Sequence, residues 1–392
     1  MKLREVLIGL ITILVLVLVV DPTDLIFHLK TPLFLVILLV FLSTKFTQTI
    51  SLNRDVVLII FTFISIPMWG ISVSLIQGTF VDMEIAAGFL KSFFLIILLY
   101  IVFDQQIKLD LILIKVTILI PLIIIPTYLI LLYDQSVYFI IYDYLSVEKK
   151  VAMFSLRSYF GQTFMMLYYK TSPLLVFPLS YYWDKFLASK KSIFFFILAA
   201  IFAFTLFVSG TRANVVAAII VLGYHMYDRI KSQTMRIFMS SVLAISVFFG
   251  VFLLLQISVS TGEESAEVKA GHFSSYVTLF EEKPQYLIWG QGLGSSFYSS
   301  GAGQYLSQSE LTYFDLIRLF GIPIFSLLLF LIVYPLIILM LNKKITSKNK
   351  YTLVAYLSYL FIAGTNPLLI SSTGILVIIV MYSLIKHERV RI

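Results

Sequence analysis

The sequence contains no cysteine and few charged side chains. Only 13% of its 392 residues are Asp, Glu, Lys or Arg, and it has four histidines. The lack of cysteine excludes disulfide bonds, thiol nucleophiles and cysteine-ligated metal sites. Because the four histidines show no HxxxH or HExxH spacing, we expect no metal site and no cofactor.

Long polar stretches are also scarce. The chain is 60% hydrophobic and its mean hydropathy is +0.98, far above the values of soluble domains. We therefore interpret residues 1–392 as a single integral membrane domain. The net charge of +8 does not indicate nucleic acid here, because in a membrane protein the placement of basic residues reports topology.

Twelve apolar segments follow one another along the chain. A hydrocarbon core about 30 Å thick needs roughly 20 apolar residues per helix, so the pattern predicts an all-α polytopic protein of about twelve transmembrane helices. The predicted segments are 5–20, 31–43, 56–77, 85–103, 109–132, 171–184, 192–209, 213–228, 236–258, 310–341, 351–364 and 372–386. The first is interpreted as a retained helix, since no small-residue cleavage pattern follows it.

Basic residues are distributed unequally between the two sides of this map. With the N-terminus inside, 18 of the 29 Lys and Arg residues fall in inner segments and 8 in outer ones. Because cytoplasmic loops carry the excess of Lys and Arg, both termini are predicted to be cytoplasmic.

Two long polar segments, 133–170 and 260–309, lie on the predicted outer face. They are rich in Tyr, Phe, Gly and Ser, which is not a disordered composition, and loops of this length are often functional. Any chemistry is therefore expected outside. Within the first segment, 138–144 and 151–169 are predicted to be short helices in the membrane interface.

Two arginines on this face are candidates for binding an anion. Arg212 lies in the short turn SGTRAN between two apolar helices, and Arg157 lies in the first long segment, upstream of Lys170. Guanidinium groups bind phosphate or diphosphate through paired hydrogen bonds. The alternatives are an arginine that reaches ordinary lipid phosphate and a solvated loop arginine.

The second long segment offers further candidates. Gly290, Gly292 and Gly294 in WGQGLGS predict a compact turn whose amides approach an anion or a sugar, and not a dinucleotide site, since no βαβ unit surrounds them. Lys269 and His272 are candidates for a phosphate contact or proton transfer, with a solvated loop as the alternative.

The segment SELTYFDLIRLFGI leads into the tenth predicted helix. Glu310 is a candidate general base if it faces a partly enclosed cavity, or otherwise a complement to the helix dipole. Glu310, Phe314 and Arg318 are predicted to share one helix face, and Asp315 to pair with Arg318 at the interface. Tyr313 and Arg318 are counted as candidate substrate contacts. A bend is predicted at 321–323, where glycine and proline occur.

In these motifs the chain resembles the Wzy-type O-antigen and capsule polymerases and, more distantly, the O-antigen ligases. The resemblance rests on SGTRAN, LIWGQGLGS, SELTYFDLIRLFGI and the spacing of the first long segment before KTSPLLVF. It implies a bacterial cytoplasmic (inner) membrane protein with its site facing the periplasm or exterior. It also implies that undecaprenyl-diphosphate-linked oligosaccharides serve as donor and acceptor, with membrane lipids around them, and it allows a chain-length regulator as a partner.

The resemblance further implies residue roles. Arg157 and Arg212 would neutralise the departing diphosphate without a metal. From the common outward placement of these residues and Glu310, we further expect a single displacement with inversion. Where ligases have a histidine, this sequence has Glu310, which favours a polymerase and makes Glu310 the expected base, with His272 as the alternative. A ligase remains a second interpretation. A lipid-sugar flippase or transporter is a third, for which Lys91 and Lys115, inside predicted helices, are the relevant basic residues.

Overall fold

A computed structural model describes residues 3–45, 53–159, 162–189, 192–235, 241, 264–341 and 343–389. The helices of the first half are α1 Leu3–Val20, α2 Lys30–Lys45, α3 Arg54–Gln77, α4 Met83–Phe94, α5 Leu98–Gln105, α6 Leu109–Val116, α7 Leu119–Tyr133 and α8 Tyr138–Tyr142. Those of the second half are α9 Val176–Ala188, α10 Ile193–Val208, α11 Arg212–Arg229, α12 Glu264–Glu282, α13 Gln285–Trp289, α14 Thr312–Leu341, α15 Lys343–Ala363 and α16 Ser372–Arg389. Four short strands are β1 Ala152–Tyr159, β2 Gln162–Tyr169, β3 Phe297–Ser299 and β4 Gln304–Leu306.

Five helical segments are long and apolar enough to cross a membrane. They are Leu3–Val20, Arg54–Gln77, Met83–Gln105, Leu109–Tyr133 and Thr312–Leu341, and Ile193–Val208 and Ser372–Ile385 are shorter apolar helices. The expectation of a mainly helical, membrane-embedded protein is therefore confirmed. The count of twelve spans stays a prediction, and the predicted helix 236–258 falls almost wholly outside the described residues.

The helix α16 occupies the centre of the bundle. Its side chains from Ile375 to Ile385 are all buried, and it packs against α1, α4, α5, α14 and α15. A helix that is apolar around its whole circumference must be enclosed by other elements or by lipid. The amino acid pattern of α16 therefore matches its position as the helix around which the others pack.

Two predicted helices are each interrupted in the structure. The segment 85–103 divides into α4 and α5 at a short 3-10 turn, Leu95–Ile97, and the segment 109–132 divides into α6 and α7. Pro121 has no amide hydrogen to donate to the Thr117 carbonyl, so the regular helical ladder is lost at this point. The Thr117 hydroxyl donates to the Leu113 and Ile114 carbonyls, at 2.8 and 3.1 Å.

The helix α14 is broken, as its glycine and proline predicted. Gly321 has φ 73° and ψ 163°, which is not helical and is a region that only glycine readily adopts. The break leaves the Arg318 and Leu319 carbonyls without helical partners, and they accept hydrogen bonds from the amides of Gln291 and Gly292, at 2.5 and 3.1 Å. A Cβ at position 321 would lie 2.3 Å from the Ile288 carbonyl oxygen, so no larger residue fits.

Both hairpins lie at one end of the bundle, which we call the hairpin end. The prediction of an interfacial helix over 151–169 is wrong, because these residues form the antiparallel pair β1–β2, in register from Ala152 opposite Tyr169 to Tyr159 opposite Gln162. Both strands are rich in aromatic residues, which favour strand pairing. The hairpin is attached to α1, since Tyr169 donates a hydrogen bond to the Val20 carbonyl. The prediction of a helix near 138–144 is confirmed by α8.

The segment 260–309 is more regular than the expected loop. It contains α12, α13 and the small hairpin β3–β4, and α12 packs on β3. The following helix begins at Thr312 and not at Glu310. The shared face predicted for Glu310, Phe314 and Arg318 is therefore wrong, because Glu310 precedes the helix.

Candidate functional site

The SGTRAN turn connects α10 to α11 at the hairpin end. Gly210 has φ 63°, and the Thr211 side chain caps α11 by accepting a hydrogen bond from the Asn214 amide. Arg212 is the first residue of α11 and is half-buried. The amino end of an α-helix carries partial positive charge, so this turn combines a guanidinium group with a favourable helix end for an anion.

This turn is packed tightly against the first hairpin. A Cβ at Gly210 would lie 2.2 Å from Cγ of Met166 on β2, so the strand and the turn are in close contact. The Asn214 side-chain amide donates to the hydroxyls of Ser209 and Ser172, at 2.6 and 3.3 Å. These bonds hold the turn, the amino end of α11 and the segment after β2 together.

Arg157 lies on β1, directly opposite Phe164 of β2. Residues two apart on a strand point to the same face, so positions 157, 164 and 166 share one face of the hairpin. Position 166 is about 6.6 Å from position 164 along β2. The side chain of Arg157 lies outside the described part of the structure. The two arginines predicted to act together are therefore on elements that pack against each other.

Tyr168 connects this region to the second long segment. Its side chain is buried, and within the described part of the chain its hydroxyl has no hydrogen-bond partner. Burial raises the pKa of the Tyr168 phenol well above 10, and the proximity of Tyr359 and Glu310 raises that pKa further. Tyr168 is thus a neutral, unpaired donor close to Glu310, and it was not singled out from the sequence because nothing local distinguishes it from the other tyrosines.

Glu310 lies at the surface of the hairpin end. Its carboxylate is 3.3 Å from the Lys269 ammonium group on α12, and its side chain is 44% exposed, so it is less enclosed than expected. An exposed pair of this kind contributes little to stability. Its exposure leaves the Glu310 carboxylate accessible to a hydroxyl group of a ligand.

His272 lies one turn along α12 from Lys269. It is buried, and its Nδ1 shares a hydrogen bond of 2.5 Å with the Ser299 hydroxyl of β3. Burial lowers the pKa of His272, Lys269 lowers it further, and the nearby Glu310 and Asp315 oppose this effect. His272 is therefore neutral at pH 7, and it is held by the fold and not solvated.

The three glycines of WGQGLGS form the compact turn that was predicted. Gly290, Gly292 and Gly294 have φ of 80°, 91° and 79° and pack against α14, α3 and the segment before α4. The backbone amides of residues 290–293 donate to the Tyr286, Arg318, Leu319 and Gly70 carbonyls. These amides are thus engaged in the fold, in contrast to the expectation that they would face a ligand.

Arg318 and Tyr313 are also engaged in packing. Arg318 has no exposed surface. It donates to Asp315 Oδ1 at 2.9 Å, to Gln291 Oε1 at 2.8 Å and to the Ser307 carbonyl at 2.9 Å. The predicted pair with Asp315 forms, but in the interior and not at the interface. Tyr313 donates to the Leu360 carbonyl at 2.9 Å, so the polar groups of both side chains are engaged within the fold.

The hairpin end thus holds two neighbouring groups, Arg212 and position 157 beside β2, and Glu310, Lys269 and His272 on or beside α12. Within the described residues, no group of three or more His, Asp or Glu side chains has a geometry that would hold a metal ion. The chain matches no family model, no curated protein and no solved structure.

Proposed function

We propose that this protein is a membrane-embedded glycosyltransferase that joins lipid-linked oligosaccharide repeat units into a polysaccharide. One observation carries the proposal: the Arg212 turn contacts β2, and Glu310 is close enough to Tyr168 of the same strand to act on it electrostatically. Met166 of β2 contacts Gly210, and Tyr168, two residues or about 6.6 Å further along the strand, is close to Glu310. The same strand is thus bordered by cationic groups, which suit a diphosphate, and by a carboxylate, which suits a hydroxyl group.

This spacing suits a reaction in which one group leaves as an anion while another loses a proton. Arg212 and Arg157 bind the diphosphate of the donor and stabilise the negative charge that develops on it. Glu310 accepts the proton of the acceptor hydroxyl, whose oxygen attacks the anomeric carbon as the bond to the diphosphate breaks. The product is a longer saccharide on one lipid and a free lipid diphosphate, with inversion at the anomeric carbon.

The proposed substrates are undecaprenyl-diphosphate-linked oligosaccharides, and the proposed location is the outer face of the bacterial cytoplasmic membrane. The apolar helices support a membrane location, and the bias of basic residues supports an outward-facing hairpin end. His272 is the alternative base, since it is neutral and close to Glu310.

The test is elongation in proteoliposomes that contain the purified protein and lipid-linked repeat units. We expect Arg212→Ala to abolish long products, since loss of one charge-stabilising contact lowers the rate about 10²–10³-fold, and Glu310→Gln to do the same. Arg229→Ala, at the opposite end of α11, and Glu282→Gln, an exposed carboxylate of α12, are the matched controls. Elongation that persists in Glu310→Gln at the wild-type rate would exclude Glu310 as the base.

The same vesicles distinguish the other interpretations. Movement of the lipid-linked saccharide across the bilayer without any new glycosidic bond would identify a flippase. Transfer to a lipid A acceptor without elongation would identify a ligase. Either result would replace the polymerase proposal.

A further inference from the structure

A cavity of about 770 Å³ lies between α1, α2 and α4 and reaches the hairpin end. We call it the lysine groove, after Lys30, Lys91 and Lys170, which line it. Leu35 also lines it and is 52% exposed, so its wall on α2 is accessible from outside the bundle. None of the candidate site residues predicted from the sequence lines this groove.

The long wall of the groove is apolar. It is lined by Leu14 and Leu18 of α1, Phe34 and Leu35 of α2, Phe89 of α4 and Leu95 of the turn that follows α4. Both α1 and the segment that contains α4 are candidate membrane spans. From Glu84 to Leu95 the wall extends about 16 Å along α4, which is close to half of a hydrocarbon core about 30 Å thick. The groove is therefore about as long as one leaflet of a bilayer is deep.

Three lysines line the groove, and Lys91 lies about 10 Å along α4 from Glu84. Lys30 donates to the Pro22 carbonyl at 2.5 Å, with Asp24 and Asp21 nearby. Within the described residues, neither Lys91 nor Lys170 has a carboxylate oxygen within 4.0 Å, and Lys170 is largely buried. Asp24 and Glu84 also line the groove, and Asp21 is close to Lys30, so the groove is not strongly charged overall. Lys91 and Lys170 nevertheless lack a direct carboxylate partner among the described residues.

Such a combination fits one kind of ligand. A soluble anion would pair with the lysines but leave the apolar wall uncovered, whereas a neutral lipid would cover the wall but leave Lys91 and Lys170 without a counter-ion. We propose that the lysine groove binds a phosphate-bearing lipid, with its hydrocarbon chain along α1, α2 and α4 and its phosphate between Lys30, Lys91 and Lys170. This role also explains why Lys91 lies inside an otherwise apolar helix.

The groove adjoins the candidate site. Lys170 directly follows β2 and lies two residues after Tyr168, and Gln308, which also lines the groove, lies two residues before Glu310. A lipid held in the groove therefore has its phosphate beside the strand that the two arginines and Glu310 border. The identification of this lipid as the carrier in the elongation reaction rests on the proposed function, but the lipid site itself does not.

The experiment measures lipid retention by native mass spectrometry. The protein is released from phosphatidylcholine nanodiscs that contain a small fraction of polyprenyl diphosphate, and the retained lipids are counted. We expect the wild type to retain polyprenyl diphosphate in preference to phosphatidylcholine. We expect Lys91→Gln/Lys170→Gln to lose about 25-fold of this preference, since each lysine near a phosphate contributes about fivefold. Lys283→Gln, an exposed lysine at the carboxyl end of the polar helix α12, is the matched control and should retain the lipid.

Three outcomes would overturn the proposal. The first is a wild type that shows no preference over phosphatidylcholine. The second is a double variant that retains the lipid as the wild type does. The third is an affinity of the detergent-solubilised protein for inorganic diphosphate that equals its affinity for the lipid. That result would identify a site for a free anion. A folded double variant is verified by its elution in size-exclusion chromatography.

Failure of the lipid site and failure of the proposed function are distinguishable. Arg212→Ala and Glu310→Gln should abolish elongation and keep lipid retention. If the wild type retains the lipid but makes no polymer, the groove stands and the glycosyltransferase proposal falls. If the wild type makes polymer but Lys91→Gln/Lys170→Gln retains the lipid, the glycosyltransferase proposal stands and the lipid site in the groove falls.

Discussion

Replacement of Arg318 tests whether the interior of the hairpin end depends on one buried charge. The guanidinium group has no exposed surface, donates to Asp315, Gln291, Ser295 and Ser307, and lies 4.8 Å above the centre of the Phe297 ring. Among the side chains that the structure describes, Tyr276 would then be the remaining donor to Asp315, at 3.0 Å. Because a buried carboxylate would be left without its counter-charge, we expect Arg318→Met to lower the free energy of unfolding by about 3–5 kcal/mol.

The measurement is a detergent titration, in which SDS unfolds the purified protein and helix content is followed by circular dichroism. The double variant Arg318→Met/Asp315→Asn removes both charges, so we expect it to be more stable than Arg318→Met by about 1–3 kcal/mol. Asp315→Asn alone should be destabilising, since it weakens the bond to Arg318. If the double variant loses as much free energy of unfolding as the two single variants together, Arg318 and Asp315 are not coupled. If Arg318→Met lowers the free energy of unfolding by less than about 1 kcal/mol, the argument from burial is refuted.

Three further predictions concern the turn, the histidine and the groove. Gly210→Ala should lower elongation and thermal stability, because the added Cβ would overlap Met166 and because φ at position 210 is 63°. Gly210→Ala/Met166→Ala should regain only part of the thermal stability, since it removes the overlap but leaves the unfavourable φ. Burial lowers the pKa of His272 below 6.5, so as the pH falls the unfolded chain takes up a proton before the folded protein does. The free energy of unfolding should therefore decrease from pH 7 toward pH 5. In SDS titrations, His272→Gln should make this pH dependence weaker. Burial lowers the pKa of Lys30 to about 8, while Asp24 and Asp21 oppose this shift and Lys170 adds to it. Because Lys30 loses its charge as the pH rises, retention of the phosphate-bearing lipid should weaken between pH 7 and pH 9. Unchanged retention over this range would show that Lys30 does not contact the phosphate.

The helices could be predicted from the sequence where an apolar run was long. The segments that became α1, α3 and α14 were predicted within a few residues, because about 20 apolar residues can be buried in lipid only as a helix. The break at Gly321 was also predictable, since a glycine close to a proline disfavours a continuous helix.

The hairpin β1–β2 was not predictable in the same way. Its strands contain many aromatic and apolar residues, a composition that fits either an interfacial helix or a pair of strands. What decides between them is non-local, because the hairpin is fixed by the contacts of Tyr169 with α1 and of Met166 with Gly210. A polar helix such as α12 was missed for a similar reason, since its aromatic residues pack on Phe297 of β3 and on Phe314 of α14, which come later in the chain.

The candidate site was predicted in part. Arg212, Glu310, Lys269 and His272 all lie at the hairpin end, and the contact of Glu310 with Lys269 joins two of them directly. The burial of Arg318 was missed, because its acceptors Gln291, Ser295 and Ser307 come from a segment that the sequence alone does not place beside α14. Lys30 and Lys170, 140 residues apart in the chain, meet only in the folded groove.

The interruption of α14 at Gly321 has a consequence for how the chain is assembled and engineered. Within the described residues, the Arg318 and Leu319 carbonyls accept hydrogen bonds from the amides of 291–292, so the backbone at the break in α14 is not fully hydrogen-bonded until that distant peptide has docked. Insertion of an epitope or a protease site near 290 would therefore dislodge a membrane helix, and not merely lengthen an external loop. Chimeric proteins that exchange the segment 285–295 must exchange the first turns of α14 with it.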